Sequence, residues 1–264
     1  MQKLRLRYAK RGRLRFTSHR DVARTFERAL RRAGVPMAYS QGFSPHPKVS
    51  WAGAVPTGVS SEAEYVELQL VERADPETVR AELDAALPDG IDVLEAVEAR
   101  PGPLADLLQV SRWRLDLPGT DVSELRRAAE RLMAADSALV ERMTKDGRRT
   151  IDARAALLEA EVWEGPRPIA QRDQKRGATA RVDDWPEASA PYGILVTVVR
   201  QTTPVVRPDD VLSALRVVAG LAPSAATSAT RLEQGRLDDG GGIADPLAQD
   251  SGGDRTPAGE PAVG

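Results

Sequence analysis

Two histidines are the residues of this chain best suited to proton transfer near neutral pH, and they lie close together in the sequence. His19 occurs in "RFTSHRD" and His46 in "YSQGFSPHPKVSW", 27 positions apart in a chain of 264 residues. A pair of imidazoles can act as general base and general acid, for example in cleavage at an RNA 2′-hydroxyl. The alternative for each is structural, a ring nitrogen that holds a loop by a hydrogen bond. Both readings stay open at this point.

The residues around the histidines favour binding of an anion. Ser18 with Asp21 three positions later fits a helix cap, and the free backbone N–H groups at a helix start attract phosphate. His46 stands between two prolines, which restrict its backbone and stiffen the loop. The two histidines and Asp21 could also ligate a metal as a facial triad, but no supporting pattern accompanies them. No metal and no cofactor is therefore predicted.

Composition excludes several classes of protein. The chain has no cysteine, which removes disulfides, thiol nucleophiles, zinc–thiolate sites and ordinary iron–sulfur ligation. A redox cofactor would therefore have to sit on a partner. No run approaches the about eighteen apolar residues of a membrane helix, and "MQKLRLRYAKRGR" lacks the apolar core of a signal peptide. The sequence predicts a cytoplasmic protein without a membrane contact.

Charge is distributed unevenly along the chain. Residues 1–50 hold thirteen Lys and Arg against two acidic residues, a balance of +11, so the rest of the chain carries −13 within a total of −2. A basic segment on an acidic body favours a polyanionic partner, or pairing of the segment with the body itself.

The elements that must position these residues begin with alternating sequences. "LRLRY" and "RLRF", separated by "KRG", predict a hairpin that gathers four arginines on one sheet face: Arg5, Arg7, Arg13 and Arg15. The capping pattern and apolar spacing then predict a helix over about 19–33. Steps of four, four and three residues predict an exposed stripe on this helix formed by Arg20, Arg24, Arg28 and Arg31.

Aromatic residues accompany the basic segment. Tyr39, Phe43 and Trp51 offer planar surfaces that suit unstacked RNA bases, and ordinary core packing is the alternative for each. Trp51, in a predicted strand, fits the core better, and Phe43 is the better candidate for an exposed stacking residue. Small residues at 52–54 leave room for a ligand to approach the backbone.

The order of predicted elements indicates an α+β fold. Residues 1–100 read as a ferredoxin-like (split βαβ) unit, and residues 110–233 as a second, more degraded ferredoxin-like unit. Within the second unit, "LVERMTKDGRRTIDA" predicts a hairpin and residues 165–190 a mobile loop. Residues 234–264 hold too little apolar mass to offset the entropy of ordering, so a disordered C-terminal tail is predicted.

The sequence from Tyr8 to about Leu70 resembles the N-terminal signature of the radical-SAM-linked proteins, a bacterial domain of unknown function found fused to, or encoded beside, a radical SAM protein. The segments "KDGRRTIDAR" and "VVRPDDVLSALR" are similar to its looser later parts. Relatives usually read "SHLD" where this chain has "SHRD", which adds Arg20 and keeps Ser18, His19 and Asp21. The resemblance implies a radical SAM protein as partner and names no reaction.

Three functions follow as hypotheses. The first is a non-catalytic RNA-binding or substrate-presenting accessory to a radical SAM enzyme. The second is a protein–protein adaptor that docks an acidic partner, and the third is a metal-independent endoribonuclease that uses His19 and His46. The tandem architecture is similar to that of RAMP-type CRISPR endoribonucleases, but their glycine-rich motif is missing. The residues predicted to contact RNA or another anion are Arg5, Arg7, Arg13, Arg15, Ser18, His19, Arg20, Arg24, Arg28, Phe43, His46 and Lys48.

Overall fold

The computed structural model describes residues 1–144, 147–163, 191–248 and 250, and within them the chain has a mixed α+β fold built around one large sheet. The strands are β1 (Gln2–Lys10), β2 (Val49–Ala52), β3 (Ser60–Leu70), β4 (Ile91–Glu98), β5 (Val110–Pro118), β6 (Leu139–Thr144), β7 (Gly147–Asp152), β8 (Leu157–Trp163), β9 (Tyr192–Arg200), β10 (Ser228–Leu237) and β11 (Ile243–Ala244). The helices are α1 (His19–Arg32), α2 (Pro76–Ala86), α3 (Val122–Ala134), α4 (Ala153–Ala156) and α5 (Pro208–Ala219). In this part of the chain no helix is long and apolar enough to cross a bilayer.

The first four strands form one half of the sheet. β1 pairs antiparallel with β3 on one side and β4 on the other, and β2 pairs antiparallel with β3, which gives the order β4-β1-β3-β2. Helices α1 and α2 cover one face of this half. Alternation in β1 directs Leu4, Leu6 and Tyr8 into the core below them, as the sequence predicts.

The second half repeats the same order of elements. β5 is followed by α3, β8, β9, α5 and β10, and the pairing order is β10-β5-β9-β8. The hairpin β6–β7 is inserted between α3 and β8 and forms a separate two-stranded sheet, which confirms the hairpin prediction. The core of the second half lies between helices α3 and α5 and the strands below them. It includes Leu117, Leu125, Leu132, Ala214 and Leu215.

The two halves join at a seam between β3 and β10. These two strands run parallel and pair at Thr230 with Ser60 and at Arg231 with Ser61. The seam makes the two half-sheets one nine-stranded sheet in the described part of the chain. Next to it, the Arg231 guanidinium donates to the Glu64 carboxylate at 2.7 Å, and both side chains are buried. An ion pair therefore crosses from one half to the other.

The predicted N-terminal hairpin is wrong. After β1 the chain forms a 3₁₀ helix over Gly12–Phe16 instead of a second strand. Both edges of β1 are already paired, with β3 and with β4, so no edge remains for a strand at "RLRF". Local alternation could not reveal that strands from distant parts of the chain take those positions.

A disordered tail is predicted from residue 234 onward. The structure contradicts this prediction for residues 234–248 and for Asp250. β10 continues to Leu237, β11 pairs with it, and Leu247 is fully buried in a small cluster with Leu104 and Leu108. Asp250 pairs with Arg5 at 3.0 Å. The predicted mobile loop at 165–190 and the last fourteen residues lie outside the described residues.

Candidate nucleic-acid interface

Helix α1 begins where the sequence predicts and is capped by the predicted residue. The Ser18 hydroxyl oxygen accepts a hydrogen bond from the Asp21 backbone N–H at 3.3 Å, and the hydroxyl also donates to the Asp21 carboxylate at 2.6 Å. Val22, Phe26 and Leu30 are buried on the inner side of the helix. The arginine stripe consequently lies on the opposite side, towards solvent.

The four arginines of this stripe (Arg20, Arg24, Arg28 and Arg31), which we call the α1 arginine face, are all exposed. Within the described residues their one ion pair joins Arg24 to Asp21 at a loose 3.7 Å. Arg28 donates to the neutral Thr25 hydroxyl at 3.2 Å. The positive charge of this face is therefore largely uncompensated by the protein.

The 3₁₀ helix before α1 adds to the basic surface. Arg13 is exposed, and the half-buried Arg15 holds its guanidinium 4.6 Å from the centre of the Phe16 ring. Phe16 is 60% exposed, although the alternation of the sequence predicts it inward. A cation stacked on an accessible aromatic ring can receive a nucleic-acid base next to a phosphate. Sequence reasoning missed Phe16 because it took this segment for a strand.

Arg5 and Arg7 do not join this surface. Arg5 is 2% exposed and donates to Glu67 and Asp250, at 3.0 Å each, and to the Gly102 carbonyl. Arg7 is oriented towards Glu95, at 3.4 Å. They do point away from the α1 core, as predicted, but acidic residues from later parts of the chain cover them. Arg5 is therefore not available to a phosphate group.

His19 stands on the helical side of the sheet. Its ring meets Trp51 edge to face, with centroids 5.3 Å apart and planes at 78°. Trp51 in turn contacts Phe26 at 5.0 Å and Tyr8 at 5.9 Å, so it belongs to the aromatic core under α1. The core role predicted for Trp51 is confirmed, and His19 is an exposed residue resting on that core.

His46 lines a different site. A cleft of about 390 Å³ is formed by His46 and Lys48 with Lys3, Glu67 and Gln69. The Lys3 ammonium pairs with Glu67 at 2.7 Å on the sheet face turned away from α1. The backbone N–H of His46 donates to a serine hydroxyl at 3.0 Å, which fixes the loop.

The two histidines therefore border opposite faces of the first half. His19 packs on Trp51 below α1, whereas His46 shares its cleft with Glu67 on the other face. The loop that carries His46 presents Phe43 fully to solvent and Tyr39 at 43% exposure. Phe43 is thus accessible for stacking, as the hypothesis of an RNA contact requires.

A cluster of buried polar side chains next to the seam was not predicted from the sequence; it consists of Tyr8, Lys10, Glu64 and Arg231. Lys10 is 3% exposed, and burial lowers its pKa while the nearby Glu64 carboxylate partly opposes this shift. Burial and the same carboxylate raise the pKa of Tyr8 well above its ordinary value. No local pattern predicts this cluster, because Glu64 and Arg231 are 167 positions apart. Among described residues no three acidic or histidine side chains are grouped to hold a metal ion.

These features define a mixed α+β protein with one continuous sheet and an exposed basic helix beside accessible aromatic rings. The chain belongs to a family described as uncharacterized protein conserved in bacteria (DUF2344), whose model matches residues 3–208. No curated protein matches it. A solved structure, CRISPR endoribonuclease Cse3 bound to 19-nucleotide RNA, aligns at 16% identity over 87% of this chain and 99% of that chain, with a TM-score of 0.19 that supports no argument. None of these matches names a radical SAM enzyme, so that association stays a prediction.

Proposed function

We propose that this protein is a non-catalytic RNA-binding accessory that presents RNA to a partner enzyme. The observation that carries the proposal is the α1 arginine face, four exposed guanidinium groups with one loose ion pair among the described residues. Between Gly12 and Arg32 seven arginines face only two acidic residues. Such a surface attracts a phosphate backbone and releases its counterions.

The aromatic residues favour RNA over an acidic protein as the ligand. Phe16, 60% exposed, lies under the Arg15 guanidinium, and Phe43 is fully exposed on the neighbouring loop. Unpaired bases stack on such rings, at about 1–3 kcal/mol per base. A single-stranded or looped RNA fits this combination of charge and rings.

We also infer the architecture of the protein from its strand order. Each half of the sheet has the strand order of a ferredoxin-like unit, with its first strand central and its last strand beside it: β4-β1-β3-β2 and β10-β5-β9-β8. We infer that the protein is a tandem pair of ferredoxin-like units fused edge to edge.

The accessory role rests on two further points. His19 and His46 border opposite faces of the first half, so they do not share one scissile phosphate as an acid–base pair must. The partner class, a radical SAM enzyme, comes from the resemblance of residues 8–70, and a chain without cysteine leaves the cluster chemistry to that partner.

Fluorescence anisotropy with a labelled single-stranded RNA tests the proposal. We expect binding that weakens steeply between about 50 and 200 mM salt. The variant Arg24→Gln/Arg28→Gln should lose about tenfold or more in affinity at low salt and show a shallower salt dependence. The matched control is Arg127→Gln/Arg131→Gln, which removes the same charge from two exposed arginines four positions apart on α3.

Each outcome decides between the hypotheses. Loss in the α1 variant with retention in the α3 control supports an RNA interface on α1, and Phe43→Ala should then weaken binding about tenfold by loss of stacking. Equal losses in both variants would show that only net charge matters. No binding to any RNA at low salt would favour the adaptor hypothesis. Cleavage of end-labelled RNA by the wild type that disappears in His19→Ala would reinstate the nuclease hypothesis.

A further inference from the structure

A second cleft lies at the seam between the halves, away from the α1 arginine face. Its volume is about 280 Å³, and segments from three distant parts of the chain line it: residues 53–56 after β2, residues 111–113 of β5, and residues 199–208 from β9 to α5, with Arg231 of β10. The small residues 53 and 54, which leave room for a ligand to approach the backbone, form one of its walls.

Arg231 is held rigidly at this cleft. One terminal nitrogen, Nη2, donates to the Gly53 carbonyl at 2.6 Å and to Glu64 at 2.7 Å, and the guanidinium carbon lies 5.1 Å from the centre of the Trp113 ring. The Nε of Arg231 has no hydrogen-bond acceptor among the described residues, although the side chain is about 95% buried. One N–H of this guanidinium is thus a fixed and unused donor.

Two more arginines line the cleft without a compensating charge. Arg200 and Arg207 are exposed, and neither forms an ion pair with a described residue. None of the described residues that line the cleft carries a carboxylate. Asp210 is a buried acidic residue three positions after Arg207, but its carboxylate has other partners. It accepts a hydrogen bond from the Arg207 backbone N–H at 2.8 Å and pairs with Arg142 at 2.6 Å. Since Glu64 neutralises Arg231, about two positive charges remain for a ligand.

Most of the remaining lining is apolar, with Ser111 and Gln201 as polar residues. Val55, Pro56 and Val206 face the cleft together with Trp113. A pocket with converging donors on one side and apolar walls on the other suits a ligand with an anionic head and an apolar or aromatic body.

We propose that this cleft binds a phosphomonoester with a planar or apolar body, such as a nucleoside monophosphate. A phosphomonoester carries close to two negative charges at neutral pH, which matches Arg200 and Arg207. Its three terminal oxygens can accept two N–H groups of one guanidinium at a time, and the Arg231 guanidinium lines the same cleft. This site is separate from the proposed RNA surface on α1 and does not depend on it.

Calorimetric titration of the full chain with uridine and adenosine monophosphates, their nucleosides and inorganic phosphate tests the proposal. We expect binding of a monophosphate with Kd below about 1 mM, at least about tenfold tighter than its nucleoside or inorganic phosphate, because only the monophosphate fills both sides of the cleft. Arg200→Gln/Arg207→Gln should weaken it about tenfold or more, since charge-assisted hydrogen bonds contribute about 1.5–3 kcal/mol each. The α3 control Arg127→Gln/Arg131→Gln should bind as the wild type does.

The source of the phosphate is distinguished by a short RNA with either a 5′-phosphate or a 5′-hydroxyl. A preference for the phosphorylated end that Arg200→Gln/Arg207→Gln abolishes assigns the cleft to an RNA terminus, and equal binding of both ends assigns it to a free monophosphate. The proposal is overturned if no monophosphate binds at about 1 mM, or if the variant binds as tightly as the wild type. Loss of RNA binding in the α1 variant alone would leave the cleft proposal intact.

Discussion

Removal of the Arg231 guanidinium should destabilise the whole protein, because it leaves a buried carboxylate uncompensated. The side chains of Arg231 and Glu64 are 5% and 2% exposed, and their atoms are 2.7 Å apart. In Arg231→Met the Glu64 carboxylate loses the guanidinium bonded to it and keeps the Val55 backbone N–H, at 3.0 Å, and the nearby Lys10 charge. The loss of one partner from such a buried pair costs about 3–5 kcal/mol of the free energy of unfolding.

The complementary change, Glu64→Gln, keeps an acceptor for the Val55 N–H but leaves the guanidinium with the Gly53 carbonyl, so we expect a loss of similar size. In the double variant neither member of the Arg231–Glu64 pair is left as a buried charge without the other. Its loss should therefore be smaller than the sum of the two single losses, with a coupling energy of about 2 kcal/mol. Urea unfolding of the four proteins measures this cycle. Single losses below about 1 kcal/mol that add up in the double variant would refute the reasoning.

Two further predictions concern the core and the pH dependence. Phe26→Ala removes a fully buried ring that touches Tyr8 and Trp51, and should cost about 3–5 kcal/mol in urea unfolding; a loss under about 1 kcal/mol would contradict the packing described. Burial raises the pKa of Tyr8, Tyr65 and Tyr192, the last to about 12, so these rings stay protonated in the folded protein above the pH where they ionise when unfolded. Their contribution is therefore intact below about pH 10 and is lost above it. Tyrosinate absorbance near pH 10.5 should be much lower in native than in denatured protein, and equal absorbance would contradict this.

Local patterns in the sequence were enough for the elements with a clear period. The spacing of Val22, Phe26 and Leu30 with the Ser18 cap predicted α1 to within a residue at its C-terminus, and the alternation of Leu4 and Leu6 predicted the inner face of β1. In both elements the residues that decide the structure are near neighbours in the chain. Periodicity reports such neighbours directly.

The errors concern contacts made by remote residues. Arg5 was taken for a free cation because Glu67 and Asp250, which bury it, are 62 and 245 positions away. The sequence did not predict the surroundings of His46 either, because no periodicity tells on which sheet face a loop residue emerges. The seam cleft was missed for the same reason, since its three segments meet only through the pairing of β3 with β10.

The position of β10 at the seam has a consequence for synthesis on the ribosome. β3 is complete once residue 70 has left the exit tunnel, and β2 already pairs with its Tyr65–Leu68 part. The strand that pairs with the remaining edge, at Ser60 and Ser61, ends only at Leu237. Synthesis proceeds at about 5–20 residues per second, so this edge and the Glu64 carboxylate remain without their partner strand for on the order of ten seconds or more. An unpaired edge strand invites association with other chains during this interval. The N-terminal half therefore passes through its most aggregation-prone period before the last strand is made, and a chaperone that shields β3 should raise the yield of folded protein.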